Sequence, residues 1–229
     1  MIFIAQVGIS VALCLLCTAL TWCTRPLKTW LLAVIFGISF VLDILGAVFS
    51  VNLYPLTALL VLLVAVSAGL WLGRAISIKR LWPFLLVLVP LSALDITQII
   101  LTHLAGPAAS QSAHVPAGDL YVDFLLFLPG GQNYVLGIGD LWIITAIAEY
   151  WRRREAAFWL ALFPGALAFI VADGLLQLFP GLDPIALIPF LTAGWLCSLA
   201  LYRLRIRKAQ AEKGEAEKVE GGDTALSDA

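Results

Sequence analysis

The chain has 229 residues, of which 62% are apolar and 13% charged, with 14 Lys and Arg against 15 Asp and Glu. An ordinary soluble domain is nearer half apolar and a quarter charged, and a mean hydropathy of +0.98 implies more apolar surface than a globule of this length can hide. A water-soluble enzyme, a disordered chain and a nucleic-acid binder are excluded, which leaves a polytopic membrane protein whose first partner is the lipid bilayer.

Runs long enough to cross a hydrocarbon layer of ~30 Å, about 20 residues each, fall at 2–23, 28–50, 54–77, 81–105, 134–151, 156–179 and 184–206. The expected fold is an all-α bundle of seven transmembrane helices over residues 1–208, with an outer loop at 106–133 and a disordered cytosolic tail at 209–229. Trp22, Trp30, Trp82, Trp151 and Tyr202 stand near the run ends, where amphipathic rings favour the headgroup level. The first run has no basic residues before it and is longer than a signal-peptide core, so it is read as a span. Cys14 and Cys17, three apart within that run, read as small apolar residues rather than a redox or metal pair. The tail is rich in Glu, Lys, Gly and Ala, a composition that buries too little to hold a fold.

Charge sets the expected orientation. Arg25 and Lys28 lie between the first two runs, Arg74, Lys79 and Arg80 between the third and fourth, and Arg152, Arg153 and Arg154 between the fifth and sixth. Arg203, Arg205, Arg207, Lys208, Lys213 and Lys218 follow the seventh, which accounts for all 14 Lys and Arg. The alternate connections hold none, so the positive-inside rule puts the amino terminus outside and the carboxyl tail in the cytosol of a plasma or inner membrane.

A shift of 52 residues superposes Lys28 on Arg80, Trp30 on Trp82, Leu42-Asp43-Ile44 on Leu94-Asp95-Ile96, and Pro55 on Pro107. Residues 1–53 and 54–105 therefore read as two copies of a helical hairpin, with a looser third copy carrying Trp159 and Asp173.

The chemistry is expected among the acids. Asp43, Asp95 and Asp173 stand about two-thirds along runs that head outward, and Asp140 stands early in the fifth, which heads inward. An ionised group at span centre costs roughly 2.5–3.5 kcal/mol on insertion scales, and every Lys and Arg is at the opposite face. These carboxylates must hold protons, accept hydrogen bonds, or bind something positive. His103, eight residues after Asp95, joins them as a candidate. No spaced His/Cys cluster accompanies them, so neither a metal nor a cofactor is implied.

The loop at 106–133 brings Asp119 and Asp123 near the outer mouth. Its apolar stretch Leu120 to Leu128 is too short to span, so it lies in the interface or re-enters. Pro129-Gly130-Gly131 then turns the chain back. Tyr121-Val122-Asp123-Phe124, followed 17 residues later by Asp140, resembles the carboxyl-terminal half of lipoprotein signal peptidases. That likeness, over residues 119–141, implies a catalytic pair of Asp123 and Asp140 at the outer membrane face, with Gly137 where the family has Asn. Gly137-Ile138-Gly139-Asp140 also fits the G-x-G-D pattern of intramembrane aspartyl peptidases. The stretch from Pro129 to Leu141 resembles, in addition, the carboxyl-terminal signature of an uncharacterised family of small bacterial membrane proteins with a Ser-Ile-Gly-Asp motif, which implies no activity.

Three functions stay open at this point. One is an outward-facing pocket of Asp43, Asp95, Asp173, Asp140 and His103 that binds or translocates a small cationic or proton-coupled solute. Another is an aspartyl peptidase using Asp123 and Asp140. The third is an assembly or scaffold subunit in which no single Asp matters beyond stability.

Overall fold

The computed structural model describes residues 2–49, 55–76, 82–104, 123–127, 133–179 and 186–227. Among them are seven helices, α1 (Ile2–Cys23), α2 (Thr29–Val48), α3 (Leu56–Ala75), α4 (Trp82–Leu104), α5 (Ile138–Arg153), α6 (Phe158–Leu178) and α7 (Ile188–Ser227). An antiparallel hairpin of β1 (Asp123–Phe127) and β2 (Asn133–Gly137) precedes α5. Three stretches, Thr29–Gly46, Leu56–Ala75 and Phe158–Leu178, are long and apolar enough to cross a bilayer, and α1 and α4 add the shorter apolar stretches Val7–Cys23 and Trp82–Thr97. The chain is thus a helical membrane protein, and its exposed residues agree. Val34, Ile38, Val41, Leu42 and Leu45 cover the outer face of α2, a surface that only lipid or another protein would tolerate.

The fifth run differs from its expected form. Residues 134–137, read from composition as the head of a helical span, are strand instead, and the helix runs only from Ile138 to Arg153. Asn133-Tyr134-Val135-Leu136 is a β-branched and aromatic stretch that pairs well on a pleated ladder. Its partner is the apolar segment expected to re-enter: Asp123 is opposite Gly137, Leu125 opposite Val135, and Phe127 opposite Asn133. Residues 120–122 and 128–132, with the turn at Pro129, lie outside the described residues, as do Pro107, His114 and Asp119.

Although α5 is the least apolar of the candidate spans, it is the hub. It packs on α3, α1, α6, α7 and β2, and Ile143 through Trp151 are all buried. A helix surrounded by protein need not be greasy; it needs small residues for close approach and partners for its polar ones. The tightest seam is with α3, where Gly69 and Gly73 provide a small-x-x-x-small pair. A methyl group at Gly69 would stand 2.5 Å from the Trp142 carbonyl oxygen and 2.7 Å from Thr145 Cβ, and one at Gly73 would stand 2.7 Å from Glu149 Cβ. The pairing of Gly69 with Trp142 and Thr145, and of Gly73 with Ala146 and Glu149, makes the helices run parallel and sets the start of α5 level with the middle of α3, while β1 also packs on α3.

Two other seams use the same device. Gly165 of α6 faces the Cys14 sulfur of α1, and Gly194 of α7 faces the backbone of Pro164. Cys14 and Cys17 are fully buried free thiols, filling space at these contacts. Three buried threonine hydroxyls are satisfied within their own helices, Thr18 donating to Cys14 O at 2.7 Å, Thr21 to Cys17 O at 2.8 Å, and Thr145 to Leu141 O at 2.8 Å. The α5–α6 connection is tight: Glu155 adopts φ 54° and the Ala156 amide returns to Trp151 O at 3.2 Å, the left-handed closure common at helix ends.

The tail is the second difference. α7 continues as one helix through Ser227, where the composition predicts a disordered segment from 209. Ala, Glu, Lys and Gln, in which the segment is rich, are among the best helix formers. α2, by contrast, packs chiefly on α3, and α4 chiefly on α7.

Candidate functional site

The hairpin brings the two acids of the peptidase pair toward one another along the backbone. Asp123 opens β1 and is in register with Gly137, the residue that caps α5. Asp140 is half-buried in the first turn of α5. Opposed residues of an antiparallel pair have α-carbons about 4.5–5.5 Å apart, and residues three apart on a helix are neighbours at about 5–6 Å. The two α-carbons therefore lie within about 11 Å of each other. Asp140 also stands where the first-turn amides lack helical partners, a position that favours a carboxylate.

The other acids stand on separate seams. Asp43 of α2 is buried on the stripe Leu32, Phe36, Ser39 and Asp43 on the helix that packs on α3, and its Oδ1 has no hydrogen-bond partner among the described residues. Asp95 of α4 reaches the start of α7, its Oδ2 accepting the Ile188 amide at 3.0 Å, with the Leu187 amide also donating to the carboxylate. One turn away Ser92 bonds Thr192 at 3.1 Å, which makes the α4–α7 seam polar. Asp173 of α6 is half-buried and takes a hydrogen bond from Ser10 of α1, while its Oδ2 is buried with no partner among the described residues. His103 falls in the last turn of α4. Among the described residues Asp123 is thus in register with the residue that caps the helix of Asp140, and Asp43, Asp95 and Asp173 stand on α2, α4 and α6, with the last two bonded to Ile188 and Ser10.

Asp95 has a clear local task. It caps a helix from outside that helix, so Asp95→Ala is expected to destabilise the start of α7 by about 1 kcal/mol, while Asp95→Asn keeps an acceptor and loses less. Hydrogen exchange at the Ile188 amide checks this: exchange accelerates in the Ala variant, and an unchanged rate would mean the cap contributes nothing.

One polar cluster escaped the sequence reading. Glu149 of α5 is fully buried, and both its oxygens are engaged. Oε1 meets Arg74 Nε at 3.2 Å and Arg152 Nη2 at 2.6 Å, and Oε2 meets Arg152 Nε at 2.6 Å. Arg74 also donates through Nη1 to Leu27 O at 2.6 Å and through Nη2 to Thr24 O at 3.2 Å, tying down the α1–α2 connection. Arg153 Nη1 lies 2.9 Å from each of the carbonyls of Gly73, Arg74 and Ile76 and so serves the open carbonyl end of α3. Arg154 lies over the Tyr150 ring at 4.6 Å, beside a buried aromatic group of Phe84, Trp151, Trp195 and Tyr202. The signal was present in the sequence: Glu149 is the single acid in the second half of the fifth run, next to three arginines.

Two cavities flank α2, and both are apolar. One, of about 530 Å³, is lined by Leu32, Phe36, Ala65, Trp71, Gly139 and Trp142. The other, of about 320 Å³, lies between α1, α2 and α3. No acid lines either, but Gly139 places the larger cavity one residue from Asp140. No family model, curated protein or solved structure matches the chain.

Proposed function

We propose that the chain crosses a bacterial-type inner membrane seven times, with its amino terminus outside and its tail in the cytosol, and that Asp123 and Asp140 act as an aspartyl peptidase pair on membrane-anchored peptides. The topology rests on the distribution of Lys and Arg, all of them in alternate connections or in the tail. The proposed 52-residue repeat accords with Trp30 and Trp82, both exposed at the starts of α2 and α4. The peptidase reading is carried by one observation, the register that opposes Asp123 to the residue capping the helix of Asp140.

The chemistry needs two carboxyl groups about 3 Å apart that share a proton. The ionised one takes a proton from water as the water oxygen bonds to the peptide carbonyl carbon. The protonated one hydrogen-bonds the carbonyl oxygen. The C–N bond then breaks, and a proton passes to the amine nitrogen that leaves. An apolar cavity at Gly139 offers room for an apolar part of the substrate beside the pair.

The test uses the purified full chain in lipid vesicles with a lipid-modified lipoprotein precursor and with an unmodified apolar signal peptide. Cleavage of either is expected to fall by about 10²–10⁴-fold in Asp123→Asn and in Asp140→Asn, the usual contribution of a positioned acid or base. Cleavage that survives either substitution contradicts the reading.

A second reading is favoured by Asp43 and Asp173, each with a buried oxygen lacking a partner among the described residues. In it, Asp43, Asp95 and Asp173, with Asp140 and His103 beside them, bind a small cation or a proton during solute passage. Under that reading Asp43→Asn or Asp95→Asn impairs function and Asp123→Asn is mild; the peptidase reading predicts the reverse order.

A further inference from the structure

The smaller cavity has a composition at its end that its apolar wall does not explain. Leu16 and Leu20 of α1, Leu32 and Ile35 of α2, and Leu59, Leu63 and Leu70 of α3 form its sides, and Thr24 and Leu27 of the α1–α2 connection close one end. Leu16, Leu59 and Leu63, which line it, are partly open to the outside, so the cavity is an open groove on an apolar surface. Its volume of about 320 Å³ is at the low end of ordinary ligand pockets.

Arg25 and Lys28 adjoin the residues that close the groove, and both are exposed. Their situation differs from that of the arginines nearby. Arg74 and Arg152 are held by Glu149, Arg153 by the α3 carbonyls, and Arg154 lies on Tyr150. Arg25 and Lys28 meet no acid among the described residues. A groove with an apolar body and two uncommitted cations at one end matches an amphiphile with a negative head.

We propose that this groove holds one anionic phospholipid, an acyl chain lying between α1, α2 and α3 and the phosphate on Arg25 and Lys28. Basic pockets between membrane helices are suited to such headgroups, each Lys or Arg adding appreciably to attraction for anionic lipid, and the chain is held by removal of apolar surface from contact with water and headgroups. The site needs only that the protein sits in a bilayer, and it stands or falls independently of the peptidase reading.

The experiment is native mass spectrometry of the full chain released from micelles that contain equal amounts of phosphatidylglycerol and phosphatidylethanolamine. The expected result is one retained phosphatidylglycerol, favoured at least ~10-fold over the zwitterionic lipid. Arg25→Gln with Lys28→Gln is expected to abolish the preference. Leu63→Trp, which fills the groove, is expected to reduce retention of that single lipid while leaving both cations in place. Arg205→Gln with Arg207→Gln removes basic charge elsewhere and is expected to change nothing. Equal retention of the two lipids overturns the proposal, as does equal loss in the Arg205/Arg207 variant, which would mark a diffuse surface charge. Arg25 and Lys28 are exposed, so an unchanged melting temperature in lipid-free detergent is expected for their variant. A fall there would assign them to the fold and also overturn the proposal.

Discussion

Glu149→Gln is expected to destabilise the protein by about 3–5 kcal/mol, the usual cost of removing one partner from a buried ion pair. The substitution keeps the shape of the side chain and deletes only its charge, which leaves Arg74 and Arg152, with side chains 12% and 14% exposed, facing each other without a counter-charge. Because Arg74 also anchors the Thr24 and Leu27 carbonyls, the damage should spread to the α1–α2 connection. Reversible unfolding in mixed micelles measures the loss, and a double-mutant cycle apportions it. Arg152→Met in the Glu149→Gln background should cost less than Arg152→Met alone, with a coupling of about 0.5–3 kcal/mol. Additive costs would mean that the three charges do not act together.

Substitution at the α3–α5 seam should come next in size. Gly69→Ala puts a methyl 2.5 Å from a backbone oxygen of α5 and 3.1 Å from the Ala146 amide nitrogen, and neither can swing aside as a flexible side chain would. Overpacking of this kind costs about 1–3 kcal/mol, and Gly69→Leu should exceed that range by forcing the helices apart. Gly73→Ala meets Glu149 Cβ at 2.7 Å and Cγ at 2.8 Å, so its effect should depend on the charge cluster. Gly37→Ala and Gly174→Ala are the controls, since nothing lies within 4 Å of a methyl at either site, and Ala favours a helix over Gly by up to about 1 kcal/mol. If Gly69→Ala unfolds no more easily than Gly37→Ala, the seam is not the close contact described.

Much of the architecture was legible because lipid imposes a simple rule. Long apolar runs bounded by Pro55 and by the Arg and Lys clusters had to be helices, since no other open element satisfies its backbone in hydrocarbon. That rule fails where protein replaces lipid as the solvent. Residues 134–137 are apolar enough to pass for the head of a span, yet β-pairing with 123–127 satisfies the same backbone groups, and hydropathy does not distinguish the two. For the same reason α5, the least apolar of the candidate spans, is the best buried: Thr145, Ala146, Ala148 and Glu149 suit helix contacts rather than lipid.

The site was legible in part. Acids in apolar runs stand out, but composition cannot tell which of them share a space. Asp95 proves to be a cap for α7 and Asp173 a partner of Ser10, both local uses that depend on which helices are neighbours. Asp123 and Asp140 are 17 residues apart in sequence, and only the strand register shows that the chain returns on itself between them. Glu149 was missed because a positive-inside count treats Arg74, Arg152 and Arg153 as loop charges, although each is engaged with the ends of α3 and α5.

The hairpin register sets Asp123 beside the first turn of α5. Thiol cross-linking in native vesicles tests it, using Asp123→Cys with Asp140→Cys in a chain whose four free cysteines, Cys14, Cys17, Cys23 and Cys197, are replaced by Ala or Ser. A short bismaleimide should join positions 123 and 140 rapidly and leave an Asp43→Cys, Asp140→Cys pair unlinked. Failure to link 123 with 140, in vesicles where each single cysteine is modified by a monofunctional maleimide, would contradict the register and remove the acid pair on which the proposed activity depends.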